Sequence, residues 1–164
     1  MRIVFAALLV LGTAVSAGDL KDLDAQNGFL NYHFGDRLEE AHNLIPIRSF
    51  GSMRMFASNV DRKSFRKASL HGIAYLYYGD RLYAVALAPW TDADSDLLIG
   101  IFIEMYGDPF PGSRAPQWWG ERVGLKWIPN LQGHPPWAVF MDRQTVKAIE
   151  ETGTDPFEIL DRID

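Results

Sequence analysis

The 164-residue sequence contains no cysteine. This absence excludes disulfide bonds, thiolate nucleophiles, iron–sulfur clusters and cysteine-bound zinc together. Bases are also scarce, because 16 lysines and arginines are outnumbered by 21 aspartates and glutamates, which gives a net charge of -5. A protein dedicated to nucleic acid would carry a basic surplus, so we expect no nucleic-acid partner.

The sequence is poor in long hydrophobic runs, and the longest lies at its start. Residues 3–15 are apolar except for Gly12 and Thr13, follow a positively charged beginning and precede a small-residue site that ends at Ala17. The run is shorter than the ~20 residues that span a bilayer. This order predicts a secretory signal peptide over residues 1–17.

The chain after cleavage, residues 18–164, is expected to be a single soluble domain in the periplasm or outside the cell. No later apolar run is long enough to span a membrane. Hydrophobic residues make up 48% of the sequence and charged residues 23%, which is typical of a globular protein. Without disulfides, such a domain depends on its hydrophobic core.

The apolar pattern predicts an α+β fold class, with one antiparallel sheet and two or three helices packed on one face. The clearest element is a hairpin over residues 72–89, where Gly79-Asp80 separates two strands that are apolar at nearly every position. Such strands are typical of the centre of a sheet, with cover on both faces. A helix followed by antiparallel strands occurs twice, which suggests a weak tandem repeat.

Before this hairpin, the sequence predicts a polar lead-in over residues 19–26 and a short strand over residues 29–34. Asp36 and Glu39 suit a capping box, so a short helix is expected to follow and to end at Pro46. Next comes a strand over residues 47–58, broken near Gly51. The basic stretch from Arg48 to Lys67 is interpreted as a solvated loop or edge strand, with an anion-binding patch as the alternative.

After the hairpin, apolar residues at helical spacing predict a helix that ends at Gly107. Its stripe consists of Leu97, Leu98, Ile101, Phe102 and Met105. Tryptophan-rich strands are then expected over residues 118–128 and 137–141. A last helix, capped by Asp142, is expected over residues 144–151.

Metal and cofactor sites are not predicted. Asp92, Asp94 and Asp96 have the spacing that opens a calcium loop, but the sixth and twelfth positions hold Leu97 and Ile103 in place of glycine and glutamate. An acidic helix N-terminus is therefore favoured. The histidines show no helical zinc spacing. They are His33, His42, His71 and His134.

Catalytic residues are not predicted either. The sequence has no nucleophile elbow, and the acids that could serve a glycosidase stand out only because acids are common. Among them, Glu104 lies beside the apolar helix stripe and is expected to be partly buried. The candidates are Glu39, Glu40, Glu104 and Glu121.

Five tryptophans in the second half of the chain are the candidate binding residues: Trp90, Trp118, Trp119, Trp127 and Trp137. They could anchor a protein partner or stack on sugar rings. The alternative is that they fill the core over the second hairpin. Because neighbours on a strand face opposite ways, at least one of the adjacent pair at positions 118 and 119 is expected on the surface or under a loop.

The order of these motifs resembles a family of uncharacterised bacterial exported proteins over residues 28–141. The shared features are Gly28-Phe29, Phe34-Gly35 before a short helix, a hairpin, a helix ending in Tyr106-Gly107-Asp108-Pro109, and a tryptophan strand. The organisation is also similar to small periplasmic binding modules, namely the small lipoprotein of the outer-membrane assembly machine and the secreted β-lactamase inhibitory proteins. This chain lacks the lipid-bearing cysteine of the former and the disulfides of the latter. The resemblance implies binding rather than catalysis and assigns no residue a role.

These observations together favour a periplasmic or secreted binding module that is not an enzyme and holds a protein partner of the cell envelope, such as a structural component or an inhibited enzyme. An enzyme acting on envelope glycans and a small-ligand carrier are the alternatives. A cleft holding two nearby carboxylates would favour the enzyme, and a closed apolar pocket would favour the carrier.

Export is the first testable consequence. Fractionation of expressing cells should find a form about 17 residues shorter than the full chain outside the cytoplasm, because the signal peptide is removed on export. Mass spectrometry of the purified form measures the cleavage site. Full-length protein confined to the cytoplasm would contradict the assignment.

Overall fold

The computed structural model describes residues 18–58, 63–130, 133 and 135–161, so the predicted signal peptide lies outside the described residues. The helices are α1 (Leu20–Gln26), α2 (Asp92–Tyr106), α3 (Arg143–Glu150) and α4 (Glu158–Asp161), with a 3₁₀ turn at Leu38–Glu40. The strands are β1 (Gly28–Phe29), β2 (Tyr32–His33), β3 (Leu44–Phe50), β4 (Met53–Ser58), β5 (Ser64–Phe65), β6 (Ala68–Tyr78), β7 (Arg81–Pro89), β8 (Gln117–Trp119), β9 (Val123–Ile128) and β10 (Trp137–Asp142).

Eight of these strands form one antiparallel sheet, which confirms the α+β class. Its order is β3-β4-β6-β7-β10-β9-β8, and β5 pairs with β6 beside this path. The predicted hairpin is β6 and β7, with Gly79 at φ 62° in the turn. The helix expected to open the first unit of the weak tandem repeat is only a 3₁₀ turn, so the repeat does not occur as predicted. The strands on either side of α2 meet where β7 pairs with β10.

The central strands are buried on both faces, as expected from their continuous apolar character. Alternate side chains belong to different cores, with Tyr75 and Tyr77 in one and Ala74 and Leu76 in the other. Helices α1 and α2 cover the first face, while α3 and α4 cover the second, so the prediction that the helices pack on one face was wrong. None of the helices in the described part of the chain is both long and apolar enough to cross a membrane.

Phe102 is the centre of the core beneath α2. It is fully buried, and its ring meets five other aromatic rings at centroid distances of 5.4 to 6.2 Å. These rings come from β5, α2, β8, β9 and β10, so one side chain joins elements that are distant in sequence. They belong to Phe65, Tyr106, Trp118, Trp127 and Phe140.

Three local predictions were wrong. The expected lead-in is helix α1, which Asp19 caps and which buries Leu23 in the core. The expected helix before Pro46 is only a 3₁₀ turn, and Pro46 lies in β3, an edge strand where its missing N–H costs no ladder bond. Leu97, assigned to the buried stripe, is 45% exposed.

The predicted strand over residues 29–34 is instead a small hairpin of β1 and β2 that turns at Leu30, whose φ is 54°. The caps of the later helices agree with prediction. Gly107 ends α2, and the Asp142 side chain accepts a hydrogen bond from the Thr145 N–H at the start of α3.

Truncation of the central ring should destabilise the fold severely. Phe102→Ala should lower the free energy of unfolding by about 3–5 kcal/mol, because a buried ring is lost and a cavity is left. Phe110→Ala is a matched control, since that ring is 58% exposed and should cost no more than ~0.5 kcal/mol. Urea unfolding of both variants measures the difference, and equal losses would contradict the central place of Phe102.

Candidate functional site

The five tryptophans occupy different environments. Trp118, Trp127 and Trp137 are 1%, 6% and 7% exposed and belong to the core. Trp90 is 59% exposed, and its ring lies 5.0 Å from that of His71. Trp119 is partly exposed, so the partner-binding prediction rests on Trp90 and Trp119.

Two of the buried rings are fixed by hydrogen bonds as well as by packing. The indole N–H of Trp118 donates to the carbonyl of Gly107 at 2.8 Å. The indole N–H of Trp127 donates to the hydroxyl of Ser95 at 3.0 Å. These rings hold α2 against β8 and β9, which makes Trp118 a structural residue and not an exposed anchor.

Trp119 lies on the opposite face of β8 from Trp118, as expected for strand neighbours. The guanidinium of Arg143, at the start of α3, lies 5.5 Å from its ring centre. The ring also packs against Gly124 of β9, where a Cβ atom would come within 2.6 Å of it. Only glycine leaves room for this packing, so the ring is held between β9 and α3.

The turn between β8 and β9 is held from two sides. The carboxylate of Asp24 on α1 accepts hydrogen bonds from the backbone N–H groups of Glu121, Arg122 and Val123, at 2.7, 2.9 and 2.8 Å. Arg143 donates to the carbonyl of Gly120 in the same turn. We call this arrangement the Asp24–Arg143 clamp.

The clamp changes the chemistry of the Asp24 carboxylate. Partial burial opposes its ionisation, but the three backbone donors act against burial, and the net effect is a lowered pKa. Asp24 therefore stays charged within the fold. A side chain at Gly120 would displace the Asp24 carboxylate, because its Cβ atom would lie 2.4 Å from a carboxylate oxygen.

Two depressions flank the ring of Trp119, and we call them together the Trp119 groove. One, of about 770 Å³, lies between α1 and the clamped turn. The other, of about 480 Å³, lies between β9 and α3. Both are lined by Trp119, Glu121 and Arg143, and both contain side chains of either charge.

Lys126 stands in the second depression as a half-buried cation. Burial lowers its pKa, while the charges of Glu150 and Asp155 oppose that change. Its ammonium group lies 4.5 Å from the ring centre of Phe157, a favourable cation–π distance. The groove therefore presents a partly desolvated positive charge beside an aromatic ring.

The outer edge of β8 borders the groove. Pro116 pairs with Trp127 and Gly120 with Val123 through backbone hydrogen bonds, so by alternation the N–H and C=O of Trp119 point away from β9. The Gln117 carbonyl, which points the same way, accepts from Phe110. In the described part of the chain no strand pairs with this edge at Trp119.

Among the described residues, the candidate metal ligands are not gathered into a metal site. Asp94 accepts from the Thr91 hydroxyl and from the Ser69 N–H, and these bonds lower its pKa. Among the described residues, no three His, Asp or Glu side chains lie close enough together to hold a metal ion. His134 lies outside the described residues.

Glu104 corrects one expectation. Its side chain is 76% exposed and pairs with Arg66 at 3.5 Å, so it is not partly buried. It points outward because it lies on the solvent side of α2, one residue outside the buried arc. Glu39 pairs with Arg37, also at the surface, and Glu121 lines the groove.

The residues that build the groove were not all identifiable from sequence. Trp119 and Glu121 were among the candidates, but Asp24 and Arg143 were not. Asp24 acts on residues 97 to 99 positions away, and no local motif signals such a contact. The sequence signal for this site was the pair of glycines around the turn, Gly120 and Gly124. A side chain at the first would collide with Asp24, and one at the second would collide with the Trp119 ring.

Comparison with protein-family models, curated proteins and solved structures found no match.

Removing the charge of Asp24 should destabilise the protein in a pH-dependent way. Asp24→Asn should lower the free energy of unfolding at pH 7 by about 1–3 kcal/mol, because bonds to a charged acceptor are lost and an amide N–H₂ faces backbone donors. The folded pKa is depressed, so the stabilisation is present above the unfolded value of 3.8 and is lost as the pH falls through the folded value. Urea unfolding at pH 7 and pH 3 measures this change.

Asp108→Asn is the control for that experiment, because the side chain is exposed and outside the clamp. It should change stability little at either pH. A difference between wild type and Asp24→Asn that is as large at pH 3 as at pH 7 would show that the charge is not the cause.

Proposed function

We propose that this protein is a non-catalytic binding module, exported to the periplasm or secreted, that holds an extended segment of a protein partner in the Trp119 groove. The observation that carries the proposal is the immobilised Trp119 ring between two depressions. Tryptophan and arginine are enriched among the residues that dominate binding energy at protein interfaces. Here they are stacked together at the surface.

The edge of β8 supports the same proposal. An extended polypeptide binds an exposed sheet edge through backbone hydrogen bonds, and side-chain pockets beside the edge provide specificity. The backbone N–H and C=O of Trp119 can make these hydrogen bonds, and the two depressions beside its ring can serve as the side-chain pockets.

The charges of the groove indicate which segment suits it. Lys126 is half-buried, and burial of a cation is offset when a carboxylate pairs with it. An acidic side chain of the partner, placed beside an apolar one on the Trp119 ring, would meet both requirements. The partner that fits this groove is thus a protein of the cell envelope with an exposed segment that carries an acidic side chain beside an apolar one.

The rigidity of the groove also favours binding. Asp24 and Arg143 fix the turn, and Gly124 fixes the ring, before any partner arrives. A preformed surface loses less conformational entropy on association than a mobile one. The arrangement therefore suits recognition without a large rearrangement.

The experiment compares single-tryptophan variants as baits. Trp119→Ala should lose capture of the partner from the envelope fraction, with a smaller loss of Tm than Trp118→Ala because its ring is only partly buried. Trp90→Ala removes an equally bulky but distant ring and should keep capture. Trp118→Ala should lower the Tm by many degrees, because that ring is in the core. Quantitative mass spectrometry identifies the protein that distinguishes the first two baits.

Titration of that purified partner completes the test. Its Kd should rise at least tenfold for Trp119→Ala and for Lys126→Gln, and should be unchanged for Trp90→Ala. Equal capture by the Trp119→Ala and wild-type baits would refute the assignment. A glycan bound in the groove, and hydrolysed on incubation, would instead favour the enzyme.

A further inference from the structure

Gly18, just before α1, is partly buried against the C-terminal end of α2. A Cβ atom on it would come within 2.1 Å of the carbonyl carbon and 2.2 Å of the carbonyl oxygen of Met105, so only glycine fits at this position. The contact is close on both sides, because a Cβ atom on Gly107 would meet the Gly18 carbonyl oxygen at 3.0 Å. The start of the domain is thus packed on the backbone of α2.

Gly18 is also the residue that follows the predicted cleavage site. Cleavage after Ala17 changes its nitrogen from an uncharged amide into an α-ammonium group. This nitrogen shares its Cα atom with the Cβ position, so it lies within about 5 Å of the Met105 carbonyl oxygen. Removal of the signal peptide therefore places a positive charge at the end of α2.

The end of α2 lacks both a hydrogen-bond donor and a cation of its own. The residue that would donate to the Met105 carbonyl in a continued helix is Pro109, which has no N–H. The last turn contains no basic residue and one acid, Glu104. A helix carries about half a negative charge at its C-terminus, so a cation placed there is stabilising.

The charges around Gly18 also favour a cation. Asp19 caps α1 and Asp22 lies in its first turn, so two carboxylates offset the positive end of that short helix. Arg66, which follows β5, pairs with the carboxylate of Glu104 at 3.5 Å. Its guanidinium serves a side chain and leaves the open carbonyl of α2 to another cation.

We propose that the α-ammonium group of Gly18, created when the signal peptide is removed, caps the C-terminus of α2, so that processing completes the fold. The inference rests on the export that the proposed function includes. In the precursor the same nitrogen carries no charge, so the precursor is less stable than the mature protein. Because α1 follows directly and carries Asp24, the cap also anchors the helix that forms one side of the Asp24–Arg143 clamp.

The exported protein, isolated from cells, tests the proposal in two forms, unmodified and acetylated at the α-amino group. Acetylation near pH 6.5 favours this group because lysines remain protonated, and mass spectrometry verifies that Gly18 alone is modified. Loss of the charge should lower the Tm by about 2–4 °C in low salt. The loss should shrink at least twofold in about 1 M NaCl, where charges are screened beyond about 3 Å, whereas a steric effect of the acetyl group would persist.

Two glycine variants separate the position of the group from its charge. Gly18→Ala should lower the Tm and make it insensitive to acetylation, because a Cβ atom moves the terminus away from Met105. Gly100→Ala is the matched control on α2, since nothing lies within 4 Å of its Cβ position. It should keep or raise the Tm and should respond to acetylation like the wild type.

An equal Tm for the unmodified and acetylated proteins in low salt would overturn the proposal, and so would an equal loss at both salt concentrations. An exported protein that begins at a residue other than Gly18 would overturn it as well. The Trp119 baits test the proposed binding independently, because failure of capture would leave these Tm differences in place. Full-length protein confined to the cytoplasm would remove the export on which both proposals rest.

Discussion

The hydrogen bonds between one carboxylate and three consecutive backbone N–H groups hold helix α1 and the β8–β9 turn together. Asp24 sits on α1, while its donors are in the β8–β9 turn. Hydrogen bonds to a charged acceptor are about twice as strong as neutral ones, and three converge here. Arg143 holds the carbonyl side of the same turn, so α1, the turn and α3 become one unit.

This unit determines the position of Trp119. The ring lies beside the clamped turn, under the guanidinium that forms half of the clamp and against Gly124. Trp118 and Trp127 belong to the core beneath α2, where Phe102 contacts rings from five elements, and Trp137 belongs to the core on the opposite face. The two neighbouring tryptophans of β8 thus have different roles. Trp118 holds α2 in place, and Trp119 forms the surface that we propose binds a partner.

Local signals were sufficient for the elements that depend on local chemistry. Continuous apolar strands around Gly79-Asp80 predicted the central hairpin. Gly107 predicted the C-terminus of α2, and Asp142 predicted the N-terminus of α3. They failed for α1, a seven-residue helix too short to be stable alone, which exists because Leu23 is buried and Asp24 is bonded. The adjacent positions of Trp118 and Trp119 predicted that their rings lie on opposite faces of the sheet. Which of the two rings is buried could not be predicted, because it depends on how α2 and α3 pack on those faces.

The central claim is that the clamp holds Trp119 rigid before any partner binds. The {¹H}–¹⁵N heteronuclear NOE of each indole N–H measures this directly on the ps–ns timescale. The account predicts that Trp119 is as rigid as the buried Trp118 in the wild type, and that Arg143→Gln makes Trp119 alone mobile. A wild-type Trp119 as mobile as the exposed Trp90 would contradict it.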